Sequence, residues 1–241
     1  MTKNGIDVSR YQQEIDWNAV KKSGIEFAIL KAGGSDAGFY TDIQFERNYA
    51  GAKAAGIPVG AYYFVGKNCI SREDGIADAH RFLKMLADKR FEYPVYIDLE
   101  TTPHEKKTGA TDAVIGFCQT MEAAGYYCGI YASDISGFAE RLDISRLTAY
   151  DKWVANYLSK PTYVKNYGIW QKSDKGRVAG ISGEVDLDEA YMDYPTIIKE
   201  AGLNGFTKSE PISTTPIPAK KTIEVTVEYD GHTFSGLLEE Q

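Results

Sequence analysis

The feature of this sequence that most constrains its fold is the octapeptide Tyr93-Pro94-Val95-Tyr96-Ile97-Asp98-Leu99-Glu100. Its apolar, β-favouring residues predict a buried strand, and two carboxylates stand two positions apart at the end of that strand. Because side chains alternate between the two faces of a strand, Asp98 and Glu100 share one face with Tyr96. The aliphatic residues between them take the opposite face.

Two like charges on one strand face oppose folding, so their proximity is expected to raise the pKa of one carboxyl group. A protonated acid beside an ionised carboxylate is the equipment for acid-assisted cleavage of a glycosidic bond. A structural interpretation fits the octapeptide as well. Asp98 could cap the following turn, and Glu100 could pair with Lys106 or Lys107. The octapeptide alone leaves both interpretations open.

Strands and helices alternate along the chain, which indicates the α/β class. Eight strands are predicted, at residues 5–9, 27–32, 58–65, 93–100, 126–131, 153–157, 168–171 and 185–188. Helices are predicted at residues 16–23, 43–55, 71–88, 111–124 and 195–201, with a further short one at 136–142. Eight strands in this alternation favour a parallel TIM-like (β/α) barrel over an open sheet. The linkers after the fifth strand are too short for full helices.

In a parallel barrel the chemistry lies at the carboxyl ends of the strands, where this chain has acids, aromatic residues and a few other polar residues. These residues are Asp7, Lys31, Tyr62, Phe64, Asp98, Glu100, Tyr131, Trp153, Gln171 and Asp186. Acids perform hydrolysis, and aromatic faces stack on sugar rings, so the pattern favours a carbohydrate site.

Single residues of this set also have structural explanations. Asp7 could fix the loop at Arg10, and Asp186 could pair with Lys31, which would then be a charge partner. The aromatic residues could be core packing. Asp188 is expected to be a capping residue or to lie behind the site.

Composition excludes several function classes. The net charge of −7 and the absence of a basic run argue against nucleic acid, anionic membranes and phosphate-rich wall polymers as electrostatic partners. Three widely spaced cysteines give no disulfide framework, and the three histidines lie in unlike contexts, so no metal or cofactor is expected. The amino terminus runs directly into a strand without a signal sequence or membrane span. We therefore expect synthesis in the cytoplasm and action elsewhere only after release.

The amino-acid composition changes beyond residues 1–205, which form the predicted barrel. Residues 206–221 are rich in Pro, Ser and Thr and predict an extended linker. Residues 222–241 alternate with period two around Asp230-Gly231, which predicts a β-hairpin. Because an isolated hairpin is marginal in water, this tail is expected to pair with a partner. Its acidic balance favours self-association into a homo-oligomer over docking on the wall.

Motifs on nearly every predicted strand, in order, resemble those of the glycoside hydrolase family 25 lysozymes. The motifs are Gly5-Ile6-Asp7-Val8-Ser9 with Tyr11-Gln12, Lys31-Ala32, Gly60-Ala61-Tyr62-Tyr63-Phe64, Tyr96-Ile97-Asp98-Leu99-Glu100, Gly129-Ile130-Tyr131, Trp153-Val154-Ala155, Trp170-Gln171 and Val185-Asp186-Leu187. The resemblance covers residues 4 to about 203. These enzymes are N-acetylmuramidases of the Chalaropsis type, common among phage endolysins and bacterial autolysins.

The resemblance implies an irregular barrel that lacks helices in its later part. It also implies cleavage of the β-1,4 bond between N-acetylmuramic acid and N-acetylglucosamine in bacterial peptidoglycan. Glu100 would be the general acid/base and Asp98 the second catalytic carboxylate, with Asp7 and Asp186 as the other active-site acids. Substrate-binding residues would be Tyr62, Phe64, Tyr131, Trp153, Gln171 and Lys31.

Two departures from the family pattern are expected to affect groove details rather than hydrolysis. Gly33-Gly34 stands where many relatives have Thr-Glu, and Tyr63 stands where many have His. Two other functions remain open. A chitinase-like hydrolase would need acids where this chain has Pro94 and Tyr96. A non-catalytic sugar-binding module would not need all four acids.

Overall fold

The computed structural model describes residues 2–208 and 222–239, and the chain divides into two units, Met1–Lys208 and Ser209–Gln241. The strands of the first unit are β1 Lys3–Val8, β2 Phe27–Gly34, β3 Tyr40–Thr41, β4 Val59–Phe64, β5 Val95–Asp98, β6 Cys128–Ser133, β7 Asp151–Ala155, β8 Ile169–Gly176 and β9 Val185–Ala190. Its α-helices are α1 Trp17–Lys22, α2 Phe45–Ala54, α3 Arg72–Leu86, α4 Lys107–Ala123 and α5 Tyr194–Ala201.

Eight of these strands form a closed barrel, so the predicted barrel is confirmed. Around the sheet the order is β1-β9-β8-β7-β6-β5-β4-β2, and a parallel pairing of β1 with β2 closes it. The short strand β3 pairs with the end of β2. Strand bounds differ from the prediction by a few residues; β7, for example, begins at Asp151 rather than at residue 153.

The prediction that all eight strands are parallel is wrong for β9, which runs antiparallel to both β8 and β1. Only residues 177–184 separate β8 from β9, and a parallel crossover needs a dozen residues or more. As a consequence, β9 begins at the end of the barrel where the parallel strands finish. Asp186 therefore reaches the barrel mouth from the amino end of its strand, not from a carboxyl end as expected.

Helices cover the first half of the barrel and are sparse in the second. Two of the early helices begin at side-chain caps: Asp16 accepts hydrogen bonds from two backbone amides at α1, and Ser71 accepts one at α3. Between β6 and β7 the predicted helix at 136–142 is instead one wide π-helical turn, Asp134–Ala139. The scarcity of helices in the later part of the barrel agrees with the prediction.

The side chains of β5 alternate between two separate hydrophobic cores, as predicted for the octapeptide. Val95, Ile97 and Leu99 are buried between the barrel wall and the helices, whereas Tyr96 is buried inside the barrel. The interior core is mostly aromatic: Phe27, Ile29, Tyr62, Tyr93, Tyr96, Tyr131, Trp153, Ala155, Ile169, Ala190, Tyr194 and Ile198. A Cβ atom at Gly129 would lie 2.5 Å from the Tyr96 ring, so glycine at this position makes room for that ring.

The second unit contains a two-stranded antiparallel hairpin, β10 Thr222–Tyr229 and β11 His232–Glu239, in which Thr222 pairs with Glu239 and Tyr229 with His232. Most of the predicted linker, from residue 209 to 221, lies outside the described residues. Self-association through the hairpin stays a prediction. Within residues 2–208 and 222–239, every helix is too short or too polar to cross a membrane.

Candidate active site

All ten residues predicted for the site line one open cleft at the barrel mouth. They are Asp7, Lys31, Tyr62, Phe64, Asp98, Glu100, Tyr131, Trp153, Gln171 and Asp186. The same cleft is lined by Val8, Ser9, Tyr11 and Gln12, which directly follow Asp7 in the chain. Since all eight barrel strands contribute to the ten residues, only barrel closure brings them together.

Asp98 and Glu100 form a hydrogen-bonded pair at the end of β5. Asp98 is only 3% exposed, and its Oδ1 atom has no protein donor, whereas Glu100 is open to solvent through the cleft. Burial and the adjacent Glu100 raise the pKa of Asp98 well above its usual range, with Lys31 opposing. Burial also raises the pKa of Glu100, opposed by its hydrogen bond with Asp98 and by Lys31 and Arg141.

Raised pKa values on two interacting carboxyls favour a single proton held by the pair in the substrate-free site. The predicted rise in the pKa of Glu100 agrees with the structure. The expectation that Asp98 is the ionised partner during the reaction stays a prediction. The alternative pairing of Glu100 with Lys107 is not found: the Lys107 ammonium donates to the carbonyl oxygen of Ala139 at 2.8 Å.

A second group of acids lies on β1 and β9. Asp7 is 5% exposed, sits opposite Asp186 in the β1–β9 register, and accepts a 2.7 Å hydrogen bond from the Gln171 amide. Burial, Asp186 and Asp188 raise the pKa of Asp7 well above its usual range. Burial raises the pKa of Asp186 to about 6, opposed by its hydrogen bond with Asp7.

The structural alternatives for these two acids are therefore not those expected. Asp186 contacts Asp7 instead of forming the expected pair with Lys31. The backbone amide of Arg10 donates to Asp42 at 3.0 Å, so Asp42 rather than Asp7 fixes that loop. Both acids face the cleft, which leaves the site interpretation as the one that the geometry favours.

Asp188 has a larger part in this group than the sequence suggested. Of the two roles expected for Asp188, a capping residue or one behind the site, the structure shows the second, because its side chain is 0% exposed inside the barrel. The indole Nε1–H of Trp153 donates to its Oδ1 atom at 2.8 Å, and burial raises its pKa to about 8. The signal was present in the sequence: Asp186 and Asp188 have the same two-residue spacing as Asp98 and Glu100, and so share a strand face.

The aromatic residues of the cleft belong to the core and to the site at once. Trp153 is 1% exposed, with its ring 4.4 Å from the Tyr131 ring and 5.9 Å from the Tyr62 ring, measured between centroids. These three rings form the floor of the cleft. Lys31 extends over the Phe64 ring, with its ammonium 4.5 Å from the ring centroid.

Sequence reasoning missed two aromatic residues at the mouth. Tyr11 is 71% exposed on the rim, beneath the guanidinium of Arg10. Tyr157 is 46% exposed. Its hydroxyl donates to Oε1, the side-chain amide oxygen of Gln171, at 2.8 Å, and so does the Tyr131 hydroxyl. Tyr11 lies two residues beyond the first predicted strand and Tyr157 is the last residue of the sixth, and these positions at strand ends could have identified them.

The two departures from the family pattern have different structural settings. Gly33 is required where β3 crosses the end of β2, because a Cβ atom there would lie 2.3 Å from the carbonyl oxygen of Tyr40. Tyr63 is 0% exposed and faces the helices, where its hydroxyl donates to Asp78 at 3.2 Å. Tyr63 therefore does not shape the groove, contrary to expectation.

Comparison with known proteins places this arrangement among glycosidases. Residues 6–181 match the family described as glycosyl hydrolases family 25. The chain is 31% identical over 192 residues to the autolytic lysozyme of Clostridium acetobutylicum, covering 77% of this chain and 55% of that protein. It is 30% identical over 201 residues to lysozyme M1 of Streptomyces globisporus, covering 77% of this chain and 66% of that protein.

A solved structure of similar fold is the bacterial lysozyme from Streptomyces coelicolor. It superposes with a TM-score of 0.66 at 28% identity, covering 83% of this chain and 96% of that chain. The present chain thus spans a little over half to two thirds of the length of the two relatives above, and nearly all of this solved one.

Proposed function

The chain belongs to glycosyl hydrolase family 25, and on that basis we propose that its barrel is a peptidoglycan hydrolase. The bond cut is the β-1,4 bond between N-acetylmuramic acid and N-acetylglucosamine, which makes the protein a lysozyme of the endolysin or autolysin type. The observation that carries the proposal is the hydrogen-bonded pair of Asp98 and Glu100 in an open cleft. A carboxyl with a raised pKa that also faces solvent can hold a proton and deliver it.

In the proposed mechanism, Glu100 donates the shared proton to the glycosidic oxygen as the bond to the anomeric carbon breaks. Asp98 is left ionised at that moment and stabilises the positive charge that develops on the sugar. The proton and the counter-charge are thus supplied by one pair in one step. Glu100 then accepts a proton from the attacking water, which restores the starting state.

The pair also bears on the stereochemistry of the cut. The interaction between Asp98 and Glu100 brings their carboxyls close together, which favours the short separation of a retaining pair over the wider gap of an inverting pair. The anomeric carbon is therefore met by Asp98 or by the acetamido oxygen of the substrate itself. A substrate without the 2-acetamido group separates these routes: continued cleavage assigns the attack to Asp98, and its loss assigns it to the acetamido group.

The arrangement favours catalysis over a silent sugar-binding module. A binding module gains nothing from burying carboxyls that oppose folding, whereas a hydrolase uses them. The chitinase-like alternative needs acids at positions 94 and 96, and Tyr96 instead donates to Asp151 at 3.1 Å inside the barrel.

The direct test is incubation of the full chain with purified Gram-positive walls, followed by mass spectrometry of the released fragments. New reducing ends on muramic acid support the proposal. Reducing ends on glucosamine would indicate a different hydrolase, and unchanged turbidity with intact glycan would indicate a binding module.

We further propose that the protein is made in the cytoplasm, acts on the wall after release, and self-associates through the 222–239 hairpin. Alternating polar and apolar residues in the hairpin support the last point. Light scattering on the full chain and on a chain ending at Lys208 tests it. An equal number of copies per particle in both samples would remove the hairpin as the contact.

A further inference from the structure

Asp188 lies inside the barrel, one layer below the acids that face the cleft. On β9 it is two residues beyond Asp186, and in the ladder it sits between Gly5 on β1 and Gln171 on β8. Its side chain is 0% exposed. A carboxyl group in this position has no access to water, so every proton and every hydrogen bond that it uses must come from its neighbours.

The two oxygens of Asp188 have different surroundings. Oδ1 accepts the 2.8 Å hydrogen bond from the Trp153 indole, while Oδ2 is buried and accepts no hydrogen bond from the residues that the structure describes. The Asp7 carboxyl is within hydrogen-bond reach of the Asp188 carboxyl. Two carboxyl groups in contact can bond to each other only when one of them carries a proton.

The charged groups around Asp188 do not supply a counter-ion for a second ionised carboxylate. Asp7 on β1 and Asp186 on β9 are acids themselves. The ammonium of Lys172 on β8 lowers the pKa of Asp188, but it also pairs with Glu189 at 3.9 Å. Trp153 on β7 is a neutral donor. Burial raises the pKa of Asp188 to about 8, in the direction that this environment requires.

We propose that Asp188 is a positioning residue: it shares one proton with Asp7 through one oxygen and anchors the Trp153 indole through the other. Trp153 forms the cleft floor and Asp7 its acidic wall, so a single buried carboxyl group holds the floor and one wall of the cleft in place. The importance of those walls for cleavage rests on the proposed function. The shared proton does not rest on the proposed function, because it is argued from contacts among the described residues alone.

The first experiment compares the pH dependence of stability in the wild-type chain and in Asp188→Asn. Asparagine keeps an oxygen for the Trp153 indole and offers an N–H group to Asp7, so it reproduces the protonated carboxyl without titrating. The unfolded chain releases an aspartate proton near pH 4, whereas the folded chain holds the shared proton to about pH 8. The wild-type melting temperature should therefore fall between pH 5 and pH 8.

In Asp188→Asn the fall in melting temperature between pH 5 and pH 8 should be smaller, by the contribution of one proton. The variant should melt at a higher temperature than wild type at pH 8. Glu73→Gln removes an exposed acid of α3, away from the acid group, and serves as the control, with the wild-type slope retained. A variant that melts below wild type at both pH values with an unchanged slope, or that fails to fold, would overturn the shared proton.

A second measurement needs no substitution. In the full chain labelled with ¹³C at aspartate carboxyls, the Asp188 resonance should titrate above pH 7. Titration near pH 4 would overturn the proposal whatever the variant does.

Wall lysis tests the positioning role. Asp188→Asn should stay within about 3-fold of the wild-type kcat at pH 6, because both hydrogen bonds are kept. Asp188→Val leaves the indole and Asp7 unpaired and should lose roughly 10- to 100-fold. Equal activity of the two variants would reject the positioning role. If no form of the protein lyses walls, the proposed function fails, and the titration data still decide whether the proton is shared.

Discussion

Two groups of acids face each other across the mouth of this barrel, and their settings differ. The pair on β5, Asp98 and Glu100, has the cations Lys31 and Arg141 nearby and opens to solvent at Glu100. The group on β1 and β9, formed by Asp7, Asp186 and Asp188, is held mainly by the neutral donors Gln171 and Trp153. Burial is the largest influence on the pKa of all five acids. Lys31 opposes it at both acids of the first group, whereas in the second group Lys172 opposes it at Asp188, after the neutral donor Trp153.

The difference suggests a division of labour. A proton shared beside cations and open to the cleft can leave and return, as an acid catalyst requires. A proton held among buried carboxyls and neutral donors stays where it is and fixes geometry. Raised pKa values on both sides predict that the two groups together make the fold more stable at mildly acidic pH than at alkaline pH.

The largest effect is expected from removing the accessible proton. Glu100→Gln keeps the size of the side chain and abolishes proton transfer, so lytic kcat should fall by about 10²- to 10⁴-fold with the fold retained. Turbidity loss of purified walls measures it, and circular dichroism checks the fold. Glu105→Gln, an exposed glutamate near the same strand end, is the control and should match wild type. Wild-type activity in Glu100→Gln would reject Glu100 as the acid.

The next effect separates the two groups by their cations. Lys31 lowers the pKa of both Asp98 and Glu100, so Lys31→Met should raise these values further. Because the acid must be protonated to work, the alkaline limb of the pH–rate profile should move to higher pH. Maximal activity should fall by roughly 10-fold through lost substrate contact.

Lys172→Met is the matched cation variant on the opposite side of the barrel mouth, and it should leave the alkaline limb unchanged. If the alkaline limb moved in both variants, or in neither, the two groups of acids would not differ in their dependence on cations.

A smaller effect is expected from the neutral donor of the buried group. Trp153→Phe keeps an aromatic floor but removes the N–H that donates to Asp188. Loss of one buried hydrogen bond should lower the free energy of unfolding by about 1–3 kcal/mol. The loss should be larger above pH 8, where Asp188 ionises and relies on that donor more. Urea unfolding at pH 5 and pH 9 measures it, and equal losses at both pH values would contradict it.

The smallest effect concerns the rim. Tyr157→Phe removes one of the two hydroxyls that donate to Gln171, while Tyr131 keeps the other. Stability should change by about 0.5–1.5 kcal/mol, and lysis by less than roughly 3-fold. A loss as large as that of Glu100→Gln would mean that Tyr157 acts on the substrate directly.

Sequence patterns were enough to predict the barrel, the missing later helices and the gathering of ten residues at one mouth. The underlying regularities are local. Apolar residues that alternate with period two define a strand and its two faces, and a short linker excludes a helix. The same alternation would have placed Asp188 beside Asp186 and turned Tyr63 away from Tyr62, had it been applied to those strands as it was to β5.

The direction of β9 and the sharing of protons were decided by tertiary structure. The alternation of side chains along a strand is the same in either chain direction. The direction of β9 is therefore set by the short β8–β9 connection and by the pairing of β9 with β1. A carboxyl group likewise has no fixed pKa until its neighbours and its distance from water are set. The chain by itself determined which acids this protein has; barrel closure determined which of them touch, and hence where the protons are held.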